Sequence, residues 1–119
     1  MTMTGEGLEE RIARVAEKYG WEVKLRKKHG KRIQDLVLTR RGIVLVIQVK
    51  DLSSPASPRD VAQTRKDADE YVRYLLEEVL GVMIVPVLVS RGISEKAMRK
   101  ARSYGVRHYT PEELEELLK

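Results

Sequence analysis

Apolar residues at helical spacing open the chain, with Leu8, Ile12, Val15, Ala16 and Tyr19 on one stripe. A first helix is therefore predicted from about Thr4 to Tyr19, capped by Thr4 and stopped at Gly20. The period then changes to two. Trp21, Val23 and Leu25 alternate with Glu22, Lys24 and Arg26, the pattern of a strand with one face buried. Residues Ile33 to Lys50 give two more strands about the turn signal Arg40-Arg41-Gly42, which predicts a β-hairpin. Ser57 as N-cap, Pro58 at the first helical position and Asp60 three residues after the cap start a second helix. Its core stripe is Val61, Ala68, Val72, Leu75, Leu76 and Val79, and Gly81 ends it.

Val82 to Val89 is apolar on both faces, which predicts a strand buried between helices and parallel to the second hairpin strand. Pro86 has no N–H for a ladder, so a bulge or a missing partner is expected there. A third helix over Ser94 to Tyr104 buries Ala97, Ala101 and Tyr104 and exposes Lys96, Arg99, Lys100 and Arg102. Val106 to Tyr109 reads as a short fifth strand, and Thr110, Pro111 and Glu113 form a capping box that opens a last helix through Leu117. These elements predict one α/β domain over residues 1–119, in the order αβββαβαβα around a mixed sheet.

Three polar residues interrupt the apolar hairpin. If Arg41 and Gly42 form a two-residue loop, Asp35 lies opposite Gln48, and Lys50 shares a strand face with Gln48. A slip of one residue would send Asp35 to the other face. A carboxylate, an amide and an ammonium at one spot suit phosphodiester hydrolysis, which needs a divalent cation, oxygen ligands for it and a cation near the developing charge. Asp35, the Gln48 side-chain carbonyl and the Val49 backbone carbonyl are candidate ligands, and Lys50 is the cation. The competing reading of Asp35 and Lys50 is a plain cross-strand ion pair. At about 100° per residue Glu9 falls at the edge of the first helix's stripe, where it can look along the sheet surface, whereas Glu10 points away from the stripe. An acidic first turn that complements the helix dipole accounts for these glutamates equally well.

Charge adds a partner class. The 23 basic and 18 acidic residues leave a net charge of +5, and Arg26, Lys27, Lys28, His29, Lys31 and Arg32 crowd around Gly30 just before Asp35. Such a turn either contacts phosphates or is merely solvated. With no cysteine, disulfides, thiolate catalysis and cysteine metal sites are excluded, in keeping with a reducing cytoplasm. No targeting segment and no membrane-spanning apolar run are recognisable, so a cytoplasmic location is expected. The 34% of charged residues and the absence of asparagine resemble a thermophile composition.

Asp35, followed after twelve residues by Gln48-Val49-Lys50, resembles the PD-(D/E)XK nuclease motif in its Mrr-like restriction endonuclease form, with glutamine in place of the second acid. An opening helix with an acidic residue, the hairpin, a glutamine (Gln63) on the helix after the lysine and the ending ISEKAMRKARSYGVRHYTPEELEELL are similar to that family along essentially the whole chain. The resemblance implies a three-layer α/β/α restriction-endonuclease-like fold and a DNA endonuclease that uses Mg2+ or Mn2+. It further implies Asp35, Gln48 and the Val49 carbonyl as metal ligands, Lys50 as the catalytic lysine, Glu9 as a helix-one carboxylate and Gln63 as a supporting residue. Arg26, Lys27, Lys28, His29, Lys31, Arg32, Ser53 and Ser54 would contact DNA, and a homodimer would supply the second cut. Gln34 stands where the family has proline, and Gln48 leaves Asp35 as the one certain anionic ligand. Holliday junction resolvases are the nearest rival within the fold. A non-catalytic nucleic-acid-binding domain of the same fold and an assembly module without a nucleic-acid role are the alternatives.

Overall fold

A computed structural model of the chain describes residues 5–27, 34–50, 53–75 and 83–119, and at residues 5, 6, 26, 27, 34, 35 and 73–75 that description covers the backbone. Nine elements follow in the predicted order: α1 (Gly5–Lys18), β1 (Glu22–Lys27), β2 (Gln34–Arg40), β3 (Ile43–Val49), α2 (Pro58–Leu75), β4 (Met83–Val89), α3 (Glu95–Tyr104), β5 (Arg107–Tyr109) and α4 (Pro111–Leu118). The strands lie in the order β1-β2-β3-β4-β5, antiparallel across β1, β2 and β3 and parallel from β3 to β5. The proposed N-cap Thr4, the basic turn at residues 28–33 and the continuation of the second helix through Leu76 and Val79 to Gly81 lie outside the described residues.

Strand alternation sorts the side chains into two cores. Leu36, Leu38, Leu45, Ile47, Val87 and Val89 pack with Leu8, Ile12 and Ala16 of α1 and with Leu114 and Leu118 of α4. On the other face Val37, Val44 and Val46 meet Ala68 and Tyr71 of α2, while Leu88 meets Val61 of α2 and Ala97 and Ala101 of α3. The result is a three-layer arrangement, with α1 and α4 under the sheet and α2 and α3 over it. No helix among the described residues is long and apolar enough to cross a membrane.

The hairpin closes on two residues, since Arg40 pairs with Ile43. Arg41 (φ 50) and Gly42 (φ 79) are both left-handed, the backbone that a type I′ turn requires to match the twist of its strands. At Pro86 the parallel register runs on without a bulge, Val46 pairing with Pro86 and Ile47 with Val87. Met83 N–H donates to Gly42 C=O and Lys50 N–H to Val89 C=O, so odd-numbered residues of β4 turn their backbone groups to β3 and even-numbered ones turn away. Pro86 therefore faces the β5 side, one residue before the β4–β5 pairing begins at Val87. Its missing donor falls where the ladder has no partner among the described residues.

Two expectations are corrected. Tyr104 is 42% exposed, because α3 turns only Ala97 and Ala101 fully inward and the Tyr104 ring lies under the Lys100 ammonium, 5.2 Å from its centroid. Strand β4 is not buried throughout. Met83 is exposed and Ile84 and Val85 are half-buried, since β5 spans only the far end of β4.

Candidate active site

One row of residues crosses the sheet at the end remote from the hairpin turn. Arg26 pairs with Asp35, Asp35 with Gln48, Gln48 with Leu88 and Leu88 with His108. By the alternation that sends Val37, Val44 and Val46 toward α2, this row lies on the α2–α3 face. Even-numbered residues of β3 turn their backbone groups to β4, so Asp35 and Gln48 make a non-hydrogen-bonded pair. In that class of antiparallel pair the Cα atoms approach to about 4.5 Å. The same phase turns the Val49 carbonyl toward β2, the strand of Asp35. Gln48 is buried, at 9% exposure.

Lys50 extends the strand by one residue and reaches α2. Its Nζ lies 3.1 Å from Asp60 Oδ2, and that oxygen also accepts from the Ser57 backbone N–H at 2.8 Å and the Ser57 hydroxyl at 3.0 Å. Burial raises the Asp60 pKa, but the Ser57 amide, the Lys50 ammonium and the Ser57 hydroxyl together outweigh it and hold the carboxyl below its ordinary value of 3.8. The cap itself is held in place across the sheet end. Ala56 bridges to Ile93, donating its N–H to Gly92 C=O at 2.8 Å and accepting from Ser94 N–H at 3.1 Å.

Glu9 is buried, at 6% exposure, while Glu10 is exposed. The helix that carries Glu9 ends beside the hairpin-turn end of the sheet, where Glu22 pairs with Thr39, so its first turns lie at the end of Asp35 and Gln48. It packs on the α1–α4 face, however, and Glu9 approaches that end from the face opposite Lys50. Gln63 lies one turn beyond Asp60 on α2, and its Nε2 donates to Asp67 Oδ1 at 2.8 Å. Asp67 is 1% exposed. Ser53 and Ser54 are exposed on the loop after Lys50. Arg26 and Lys27 stand at the end of β1, Arg26 in register with Asp35, and Lys28, His29, Lys31 and Arg32 lie outside the described residues.

The structure thus brings Asp35, Gln48 and Lys50 to one end and one face, with Gln63 on the helix above them. Asp35, Gln48 and the Val49 carbonyl are oxygen donors by residue type, a chemistry that would suit a hard ion such as Mg2+ or Mn2+ rather than a soft metal. Among the described residues no three His, Cys, Asp or Glu side chains gather into a metal cage. Two acids of this region escape sequence reasoning. Asp60 reads only as a helix start, and its bond to Lys50 depends on how the loop before it folds. Asp67 is signalled by its place in the polar series Asp60, Gln63, Asp67, which advances by three and then four residues along one edge of α2.

Comparison with known proteins bears on the family and the fold. The Mrr catalytic-domain profile, described as a restriction endonuclease, matches residues 1–118. A solved structure of EndoMS in apo form superposes with a TM-score of 0.61 at 21% identity, covering 86% of this chain and 45% of that one. The chain thus spans less than half of that structure's length. Among curated proteins none matches the sequence.

Proposed function

Because the chain belongs to the Mrr-type restriction endonuclease family, we propose that it is a metal-dependent endonuclease that hydrolyses DNA phosphodiester bonds at the end of the β2–β3 hairpin. The observation that carries this reading is the register of Asp35 opposite Gln48, with Lys50 following on the face of Gln48. Asp35, the Gln48 amide oxygen and the Val49 carbonyl would hold Mg2+ or Mn2+, and Glu9, buried at the same sheet end, is the candidate for a further carboxylate. When bound, such an ion polarises the phosphodiester and makes water a better nucleophile.

The chain's own groups do the rest. The Lys50 ammonium is a compact three-donor cation and would meet a phosphate oxygen and the attacking water. Gln63, oriented by Asp67, supports the site from α2. The basic run from Arg26 to Arg32, which precedes Asp35 in the sequence, together with Ser53 and Ser54 would hold the phosphates on either side, a contact that weakens with salt. A two-fold dimer would present two such sites to the two strands of a duplex.

Incubation with linear, supercoiled and branched DNA, with Mg2+ or Mn2+, tests the proposal. Cleavage by the wild type that is lost in Asp35→Ala and Lys50→Ala supports it, and cleavage confined to branched DNA makes the activity that of a junction resolvase. One observation favours a second reading: Gln48 is neutral, so Asp35 is the one acid in the ladder pair. Salt-dependent DNA binding without cleavage in either metal would make the domain a non-catalytic DNA-binding member of the family.

A further inference from the structure

The Asp60 carboxylate does two things with one oxygen. Oδ2 closes the N-terminal turn of α2 by accepting from the backbone N–H and hydroxyl of Ser57, and it also takes the Lys50 ammonium at 3.1 Å. A glutamate or aspartate at the third helical position ordinarily serves its own helix alone. Here the acceptor's position is fixed by the cap, and the cap is fixed to the β4–α3 loop through the Ala56–Ile93 bridge. Lysine has four rotatable bonds in its stem and no fixed geometry of its own, so a rigid partner decides where its ammonium rests. Lys50 and Asp60 are both about three-quarters buried, with side-chain exposures of 24% and 22%, which distinguishes the pair from the freely solvated ion pairs that contribute little.

We infer that Asp60 is the positioning residue for Lys50, holding its ammonium at the Asp35–Gln48 end of the sheet and coupling the lysine to the N-terminus of the helix that carries Gln63. The inference rests on the nuclease reading of that site and assigns Asp60 a role through Lys50, not contact with DNA or metal. Asp60 keeps the lysine from sweeping through its other rotamers between turnovers. The charge is the essential property of Asp60, whereas an amide satisfies the cap.

Two substitutions separate these duties. Asp60→Asn keeps an oxygen acceptor for Ser57 but loses the charge, and Asp60→Glu keeps both. The first readout is independent of catalysis: the Lys50 side-chain ammonium signal in 1H–15N spectra of wild type and variants, assigned through Lys50→Arg. Asp60→Asn is expected to shift or broaden that signal, and Asp60→Glu to restore it. The second readout is single-turnover DNA cleavage in Mn2+, with thermal unfolding and DNA binding in Ca2+ measured alongside. Asp60→Asn is expected to slow cleavage by about 10- to 100-fold at unchanged unfolding temperature and DNA affinity, with Asp60→Glu recovering most of the rate. An unchanged Lys50 signal in Asp60→Asn overturns the inference, as does cleavage at or above the wild-type rate, which would make the contact idle or inhibitory. A wild-type protein that cleaves nothing overturns the nuclease reading instead, while the ammonium signal still reports on the contact.

Discussion

Asp35 stands opposite Gln48 across the β2–β3 ladder, at a pair whose backbones turn away from each other. That relationship ties the candidate chemistry to the turn, because a two-residue loop at Arg41-Gly42 admits only this register. Asp35→Asn keeps the size of the side chain and removes its charge. It is expected to reduce metal-dependent cleavage by at least about 100-fold, or ~2.7 kcal/mol of transition-state stabilisation, with unfolding temperature changed little. Gln48→Glu adds the second acid and is expected to tighten Mg2+ binding several-fold, read by calorimetric titration.

The turn makes its own prediction. Arg41 occupies the left-handed region at φ 50, a conformation that costs a residue with a Cβ roughly 1 kcal/mol. Arg41→Asn creates the Asn-Gly pair preferred in type I′ turns and is expected to raise the unfolding temperature by a few degrees. Gly42→Val, at φ 79, should lower it by more, because a β-branched residue is poorly tolerated there. Calorimetry on both variants checks the sign.

Much of the hairpin was legible because its determinants are local. Strand period, turn residues and the capping sequences at Ser57 and Thr110 all lie within a few residues of the features they specify, and the Thr110–Glu113 capping box is present in both directions. The partner of Lys50 was not legible. It depends on the fold of the loop between strand and helix, and that loop is held by residues near Gly92, far away in sequence. Tyr104 escaped for a different reason: helical spacing puts it near the Ala97–Ala101 stripe, but it is the last residue of α3, and there its ring stays exposed under the Lys100 ammonium.

A histidine at the far end of the cross-sheet row gives a pH dependence. Ser90 Oγ donates to Gly92 C=O at 2.7 Å, and His108 Nε2 lies 2.7 Å from Ser90 Oγ, an oxygen whose own hydrogen is already given to Gly92 and which is left to accept from the ring. Burial pushes the His108 pKa below its ordinary 6.5, against the opposing influence of Glu113 and of Ser90. The folded state therefore binds this proton less readily than the unfolded state. Its contribution to stability is full above 6.5 and declines as pH falls through that value toward the lower folded one. His108→Gln is expected to flatten the unfolding temperature between about pH 7 and 5, measured by circular dichroism.

Arg40 and Trp21 fasten the last helix to the sheet. Trp21 Nε1 donates to the Leu118 carbonyl at 2.9 Å, and Arg40, 4.3 Å over the Trp21 ring, donates to the carbonyls of Leu118 and Tyr19 at 3.2 and 3.1 Å. Lysine at position 40 cannot stack and fork in this way. Arg40→Lys should destabilise the fold by about 1–2 kcal/mol and shift Trp21 fluorescence to longer wavelength, both followed in urea unfolding.

Pro86 has a consequence for association. The near half of β4, with Met83 60% exposed, has no strand beside it on the β5 side among the described residues, and an apolar strip of this kind invites an incoming strand from another molecule. The missing N–H of Pro86 lies on that side, so a visiting strand would meet a gap in the row of donors midway along its path. The proline that looked out of place in an apolar strand is thus a guard against edge-on growth. Pro86→Val should leave the monomer folded and lower the concentration at which it aggregates.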